Sequence, residues 1–129
     1  MIIDTSALAA IVFGEADRDS YRRAIAQAPR RVISAATYVE LGIVVDSRRD
    51  PVLSRSVDDL LNGLGIKVAD VTAGQAKIAR SAHRDFGRGS GHPARLNLGD
   101  CFPYALAKES DEPLLFKGDD FGYTDVRRA

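Results

Sequence analysis

Met1-Ile2-Ile3-Asp4-Thr5-Ser6-Ala7-Leu8 opens the chain with an apolar run that stops at a group able to cap a helix. Leu8, Ile11 and Val12 then follow at helical spacing. The stretch reads as strand, turn, helix, and the same unit recurs along the chain. Residues 31–34 predict a second strand and 35–49 a long, mostly apolar helix, buried on most sides and ended by charges before Pro51. Residues 66–71 predict a third strand, and Thr72 caps a helix carrying Ala76, Ala79 and Phe86. Residues 98–110 predict a helix and 113–116 a fourth strand, with a short fifth strand at an edge over 124–127.

Between these units lie helices over 16–28 and 52–64, and the Gly-rich run 87–93 reads as the most flexible stretch. Strands alternating with helices at this spacing imply βαβ crossovers. The expected fold is therefore α/β, a mainly parallel central sheet of four to five strands flanked by helices. In such sheets ligand sites lie beyond the carboxyl ends of the strands.

The chain has 129 residues, which favours a single domain over 1–129. Hydrophobic residues make up 45% against 28% charged, enough apolar surface for a core. Eighteen Lys plus Arg balance eighteen Asp plus Glu, so no global field attracts a polyanion and any such ligand must be held locally. One cysteine excludes an internal disulfide, and with two histidines it leaves little for zinc. The first residues lack a signal peptide's basic and apolar regions, and no window is apolar enough to cross a bilayer. The expected location is the cytoplasm, with no membrane partner.

Four acids occupy positions where chemistry is expected. Asp4 follows the first strand, and Asp119 and Asp120 follow the fourth. Glu40 is the lone charge between Arg31 and Asp46 on an apolar helix, and Asp100 sits in the first turn of the helix feeding the fourth strand. Singly, each has an ordinary role: Asp4 as a helix cap, Asp100 against a helix dipole, Asp119 and Asp120 in a turn beside Gly118, Glu40 in a salt bridge. Together they would repel one another unless a cation intervened. All-oxygen ligands suit Mg²⁺ or Mn²⁺, and such a site suits hydrolysis of a phosphodiester.

The residues also carry a resemblance. Met1-Ile2-Ile3-Asp4-Thr5-Ser6-Ala7-Leu8, Ser34-Ala35-Ala36-Thr37-Tyr38-Val39-Glu40-Leu41, Leu96-Asn97-Leu98-Gly99-Asp100-Cys101-Phe102 and Leu114-Leu115-Phe116-Lys117-Gly118-Asp119-Asp120-Phe121 resemble the four acidic motifs of PIN-domain ribonucleases, and more narrowly of VapC toxins from type II toxin–antitoxin systems. The resemblance implies a Mg²⁺- or Mn²⁺-dependent endoribonuclease acting on RNA, with Asp4, Glu40, Asp100 and an acid of the Asp119–Asp120 pair around the metal. It also implies a homodimer, neutralisation by a cognate VapB antitoxin, and promoter DNA bound only through that antitoxin. Relatives often have Asn where Asp119 stands, so both Asp119 and Asp120 are candidates. Pro103 stands where a small helix former is usual, close to the first turn if the helix begins near Leu98.

Ser6 and Asn97 are placed to orient a carboxylate, or equally to cap their helices. Among the cations, Arg22, Arg23, Arg84, Arg88, Arg95 and Lys117 are candidates for RNA phosphates, with Arg88 and Arg95 bordering the Gly-rich loop. Two other readings compete. A metal-dependent phosphatase of another α/β family would need a second Asp where Ser6 stands. A catalytically weak antitoxin-binding module would be expected to lack one of the acids, and none is missing.

Overall fold

A computed structural model describes residues 1–129. Four parallel strands, β1 (Ile2–Ile3), β2 (Val32–Ser34), β3 (Lys67–Ala69) and β4 (Leu114–Leu115), form one sheet in the order β3-β2-β1-β4. The helices are α1 (Thr5–Val12), α2 (Arg18–Gln27), α3 (Ala35–Asp46), α4 (Pro51–Gly63), α5 (Ala73–Phe86) and α6 (Leu98–Ser110).

Alternation along these very short strands builds two cores. Ile2, Val32 and Leu114 point to one face, where α5 and α6 supply Ala79, Ala82, Tyr104 and Ala105. Ile3, Ile33 and Leu115 point to the other, against Leu8, Leu41, Val45 and Leu61 of α1, α3 and α4. Each such Ile or Leu contributes about 1.5–3 kcal/mol through burial, which gives two-residue strands their permanence. Helix starts follow local chemistry: Ser34 accepts from Ala36 N at 3.2 Å, Asp50 from Val52 N at 2.9 Å and Thr72 from Gln75 N at 3.1 Å.

The structure corrects several expectations. There is no fifth strand over 124–127: the chain makes a 3-10 turn at Asp120–Tyr123, and only a single parallel bridge joins Leu114 to Arg128. Two backbone bonds, Leu114 N to Arg127 O at 2.8 Å and Ala129 N to Leu114 O at 3.0 Å, hold that edge. The helix expected over 35–49 stops at Asp46, because Arg49 takes a left-handed φ of 53° that a helix cannot continue through. Nor is it buried on most sides. Only Thr37, Leu41 and Val45 are buried, while Val39 and Ile43 are 57% and 66% exposed, since α3 forms an outer layer with one packed face.

Pro103 lies six residues into α6, beyond the first turn, so its missing N–H leaves the Gly99 carbonyl without its helical partner. The Gly-rich loop is internally tied. Ser90 Oγ donates to Gly87 O at 2.7 Å, His92 N to Ser90 Oγ at 3.2 Å, and Leu96 N to Phe86 O at 2.9 Å.

Candidate active site

Asp4 leaves β1 in extended conformation and becomes the N-cap of α1. Its Oδ2 accepts from Ser6 N at 2.9 Å and from Ser6 Oγ at 2.5 Å. Ser6 Oγ in turn accepts from Lys117 N at 2.9 Å, which ties the segment after β4 to the Asp4 carboxylate. Only 4% of Asp4 is exposed, and burial raises its pKa above the ordinary value, outweighing the opposing hydrogen bonds from Ser6.

Glu40 is half-buried on α3, and its Oε2 accepts from Thr5 Oγ1 at 2.5 Å. The carboxylate lies directly over Gly99. A Cβ there would stand 2.7 Å from the Glu40 Cδ and 2.9 Å from Oε2, a distance that real side chains do not tolerate. Gly99 thus holds its place by the space it leaves, which lets α3 bring its acid against the start of α6.

Asp100 occupies the third position of α6 in a capping box with Asn97. Asn97 N donates to Asp100 Oδ2 at 2.7 Å, and Asp100 N to Asn97 Oδ1 at 3.0 Å. Burial pushes its carboxyl up to about 6, against the opposing bond from Asn97 N, and the negative charges of Asp4, Glu40 and Asp120 add to the rise. Asp4, Glu40 and Asp120 thus lie near enough for their charges to act on Asp100. Asp120, exposed in the 3-10 turn, is one of the charges acting on Asp100, and Asp119 is exposed at the turn's start with no capping bond.

No lysine, arginine or terminal amine pairs with Asp4, Glu40, Asp100 or Asp120; every ion pair in the chain uses other acids. As they stand, no three of the chain's Asp, Glu, His or Cys side chains meet closely enough to hold an ion unaided. Mg²⁺ does not require such a cage, because it retains several waters and takes one or two carboxylates. The hard, uncompensated oxygen set fits that ion and Mn²⁺. The acids span from buried to exposed, with Asp4 only 4% exposed and Asp120 at the surface.

The cations singled out in the sequence form no ion pair with these acids. Lys117 Nζ pairs with Glu15 and with Asp17 Oδ2 at 3.0 Å, at the surface. Arg88 and Arg95 are exposed, and Arg88 N bonds Leu96 O at 3.0 Å, one residue before Asn97. Two residues of the site escaped the sequence reading. Thr5 looked only like part of a capping group, and Gly99 like a spacer between Leu98 and Asp100. The signal for Gly99 was its place next to an acid in a helix start, where a better helix former would ordinarily serve.

A family model for the PIN domain matches residues 1–126. VapC ribonuclease Mb0625 of Mycobacterium bovis is 57% identical, over 100% of this chain and 97% of its own length. Ribonuclease VapC42 of Mycobacterium tuberculosis is 54% identical, over 100% and 98%. Among solved structures, Mycobacterium tuberculosis VapC20, a sarcin–ricin loop cleaving toxin, superposes with a TM-score of 0.77 at 17% identity, over 99% of this chain and 97% of that one. A toxin–antitoxin complex from Klebsiella pneumoniae gives 0.71 at 16% identity, over 93% and 88%. At those identities the two structures speak for the fold.

Proposed function

The chain belongs to the PIN-domain family, within its VapC ribonuclease group, and from that premise we propose that it is a divalent-metal-dependent endoribonuclease acting as the toxin of a toxin–antitoxin pair in the cytoplasm. The observation that carries the reading is the set of four acids, delivered by the end of β1, by α3, by the start of α6 and by the turn after β4, with no cation of the protein among them.

Asp4, Glu40, Asp100 and Asp120 would hold Mg²⁺ or Mn²⁺, with Asp119 beside them as the outer acid of the pair. When bound, the metal supplies charge stabilisation for the phosphate and activation of the attacking water. The protein's part is positional. Ser6 fixes the Asp4 carboxylate through two hydrogen bonds, Thr5 steadies Glu40, and the reciprocal bonds with Asn97 orient Asp100. Ser6 is thereby engaged where a phosphatase of another α/β family would need a proton donor, which disfavours that reading.

The relatives' names and the toxin–antitoxin neighbour support a VapB-type antitoxin as partner. The exposed apolar residues Val39 and Ile43 of α3 offer surface for it or for a second copy in a homodimer. No helix is long and apolar enough to cross a membrane. The test is cleavage of RNA by the purified protein in Mg²⁺. Wild type should cut, while Asp4→Ala and Glu40→Ala should be silent though folded; equal activity in all three would overturn the assignment.

A further inference from the structure

On a chain of zero net charge, one helix face departs sharply from neutrality. Lys77, Arg80, Arg84 and, just past the helix end, Arg88 follow at intervals of three and four along α5. At 100° per residue Lys77, Arg80 and Arg84 fall within one narrow arc, opposite the arc of Ala79, Ala82 and Phe86 that packs on α6, and Arg88 follows just beyond the extended Gly87. All four are exposed. Lys77, Arg80 and Arg88 have no acidic partner, and Arg84 has only the neighbouring Asp85, an exposed pair of little strength. Lys77, Arg80, Ser81, His83 and Arg84 line a shallow concavity of about 460 Å³ without a single apolar residue. Like charges at three- and four-residue spacing weaken a helix, and only Asp85 beside Arg84 offsets them.

The row points at the acidic centre. α5 and α6 run antiparallel, since Gln75 Nε2 donates to Glu109 Oε2 at 2.6 Å at one end while Phe86 packs on Tyr104 at the other. The row therefore ends beside the start of α6, where Gly87 bridges Leu96 and Arg88 N bonds Leu96 O. Asn97 and Asp100 follow at once.

We propose that Lys77, Arg80, Arg84 and Arg88 form a phosphate-binding rail on which RNA lies as it enters the acidic centre. The inference rests on the ribonuclease reading and adds the surface that holds the substrate strand away from the reacting bond. Its helical part, from Lys77 to Arg84, spans roughly 10 Å at 1.5 Å per residue, with Arg88 beyond it, so it engages successive phosphates rather than a base sequence. An acidic centre repels RNA, and a remote cationic row on a neutral chain offsets that repulsion.

The experiment measures anisotropy of a fluorescein-labelled mixed-sequence RNA of about 20 nucleotides in EDTA, across a salt series, with cleavage of total RNA in Mg²⁺ and Mn²⁺ run in parallel. Replacing all four rail residues by Gln should weaken binding at least tenfold. It should also lower the slope of log affinity against log salt by about 2–3, at about 0.7 per phosphate contact for a single strand. A control with Arg48, Arg49, Arg55 and Lys67, all exposed, replaced by Gln removes the same charge elsewhere and should stay near wild type. If the fourfold variant unfolds, the pairs Lys77/Arg80 and Arg84/Arg88 should each give about half the effect.

Equal losses in rail and control variants, or a loss seen on duplex DNA and absent on RNA, would overturn the rail. Wild type that cuts RNA while the rail variant keeps its affinity and slope refutes the rail alone. Wild type that binds through the rail but cuts no RNA with either metal supports the rail and refutes the nuclease reading.

Discussion

Replacing Asp100 by Asn should stabilise the metal-free protein at neutral pH, although it removes a central acid. Asp100 has its carboxyl pushed up to about 6 by burial and by Asp4, Glu40 and Asp120. Between pH 4 and 6 the native state therefore keeps a proton that the unfolded chain has lost, and stability falls as pH rises through that window. The contribution is fully present below the ordinary value near 4 and gone above 6. About two units at 1.36 kcal/mol each set a ceiling of about 3 kcal/mol. Partial exposure of the group reduces it to about 1–2 kcal/mol. Asn cannot ionise, yet its Oδ1 can still accept from Asn97 N, so the capping box survives. Asp100→Asn should therefore melt roughly 3–8 °C above wild type at pH 7.5 in EDTA. The gap should close by pH 4.5, and saturating Mg²⁺ should reverse the order by binding wild type alone. Scanning calorimetry at both pH values, with and without metal, reads all of this. A variant less stable than wild type at pH 7.5 in EDTA, or a gap independent of pH, would refute the claim that burial and the neighbouring carboxylates raise the Asp100 carboxyl.

Four further substitutions probe the geometry. Gly99→Ala should fold but displace Glu40, whose Cδ stands 2.7 Å from the new methyl; cleavage and calorimetric Mg²⁺ affinity should both fall at least tenfold, the range seen for disturbed ligand supports, and unchanged values would show that Glu40 is not needed there. Ser6→Ala removes the hydroxyl that donates to Asp4 at 2.5 Å and accepts from Lys117 N at 2.9 Å; it should cost about 1–3 kcal/mol in urea melts, together with most of the activity. Asp120→Asn should impair cleavage far more than Asp119→Asn, because the charge of Asp120 acts on Asp100; the opposite ranking in initial rates would transfer the fourth role to Asp119.

The strands, and the acids other than Glu40, are legible for the same reason: they adjoin element boundaries, where local chemistry leaves marks. Asp4 and Asp100 fall at helix starts that capping residues announce, and Glu40 stands out as one charge in an apolar helix. What α3 buries was not legible. Its apolar residues surround the helix on all sides, and only its outer-layer position decides that Leu41 packs while Ile43 faces solvent. Thr5 and Gly99 were hidden because their roles are tertiary, one a hydroxyl reaching residue 40 and the other an empty space beneath it. Lys117 reads as a free cation until the fold sets it between Glu15 and Asp17, about a hundred residues away in the chain. The cationic face of α5 lay in plain view at helical spacing, but its direction toward the acids depends on the antiparallel packing of α5 on α6.

The most direct test of the account is RNA cleavage by wild-type protein stripped with EDTA and then given back Mg²⁺ or Mn²⁺, with Asp100→Asn beside it. Activity that vanishes on stripping, returns with either metal, and never appears in the variant is the predicted result. Cleavage that persists in EDTA, or that Asp100→Asn performs as well as wild type, would contradict a metal-dependent site built from these four acids.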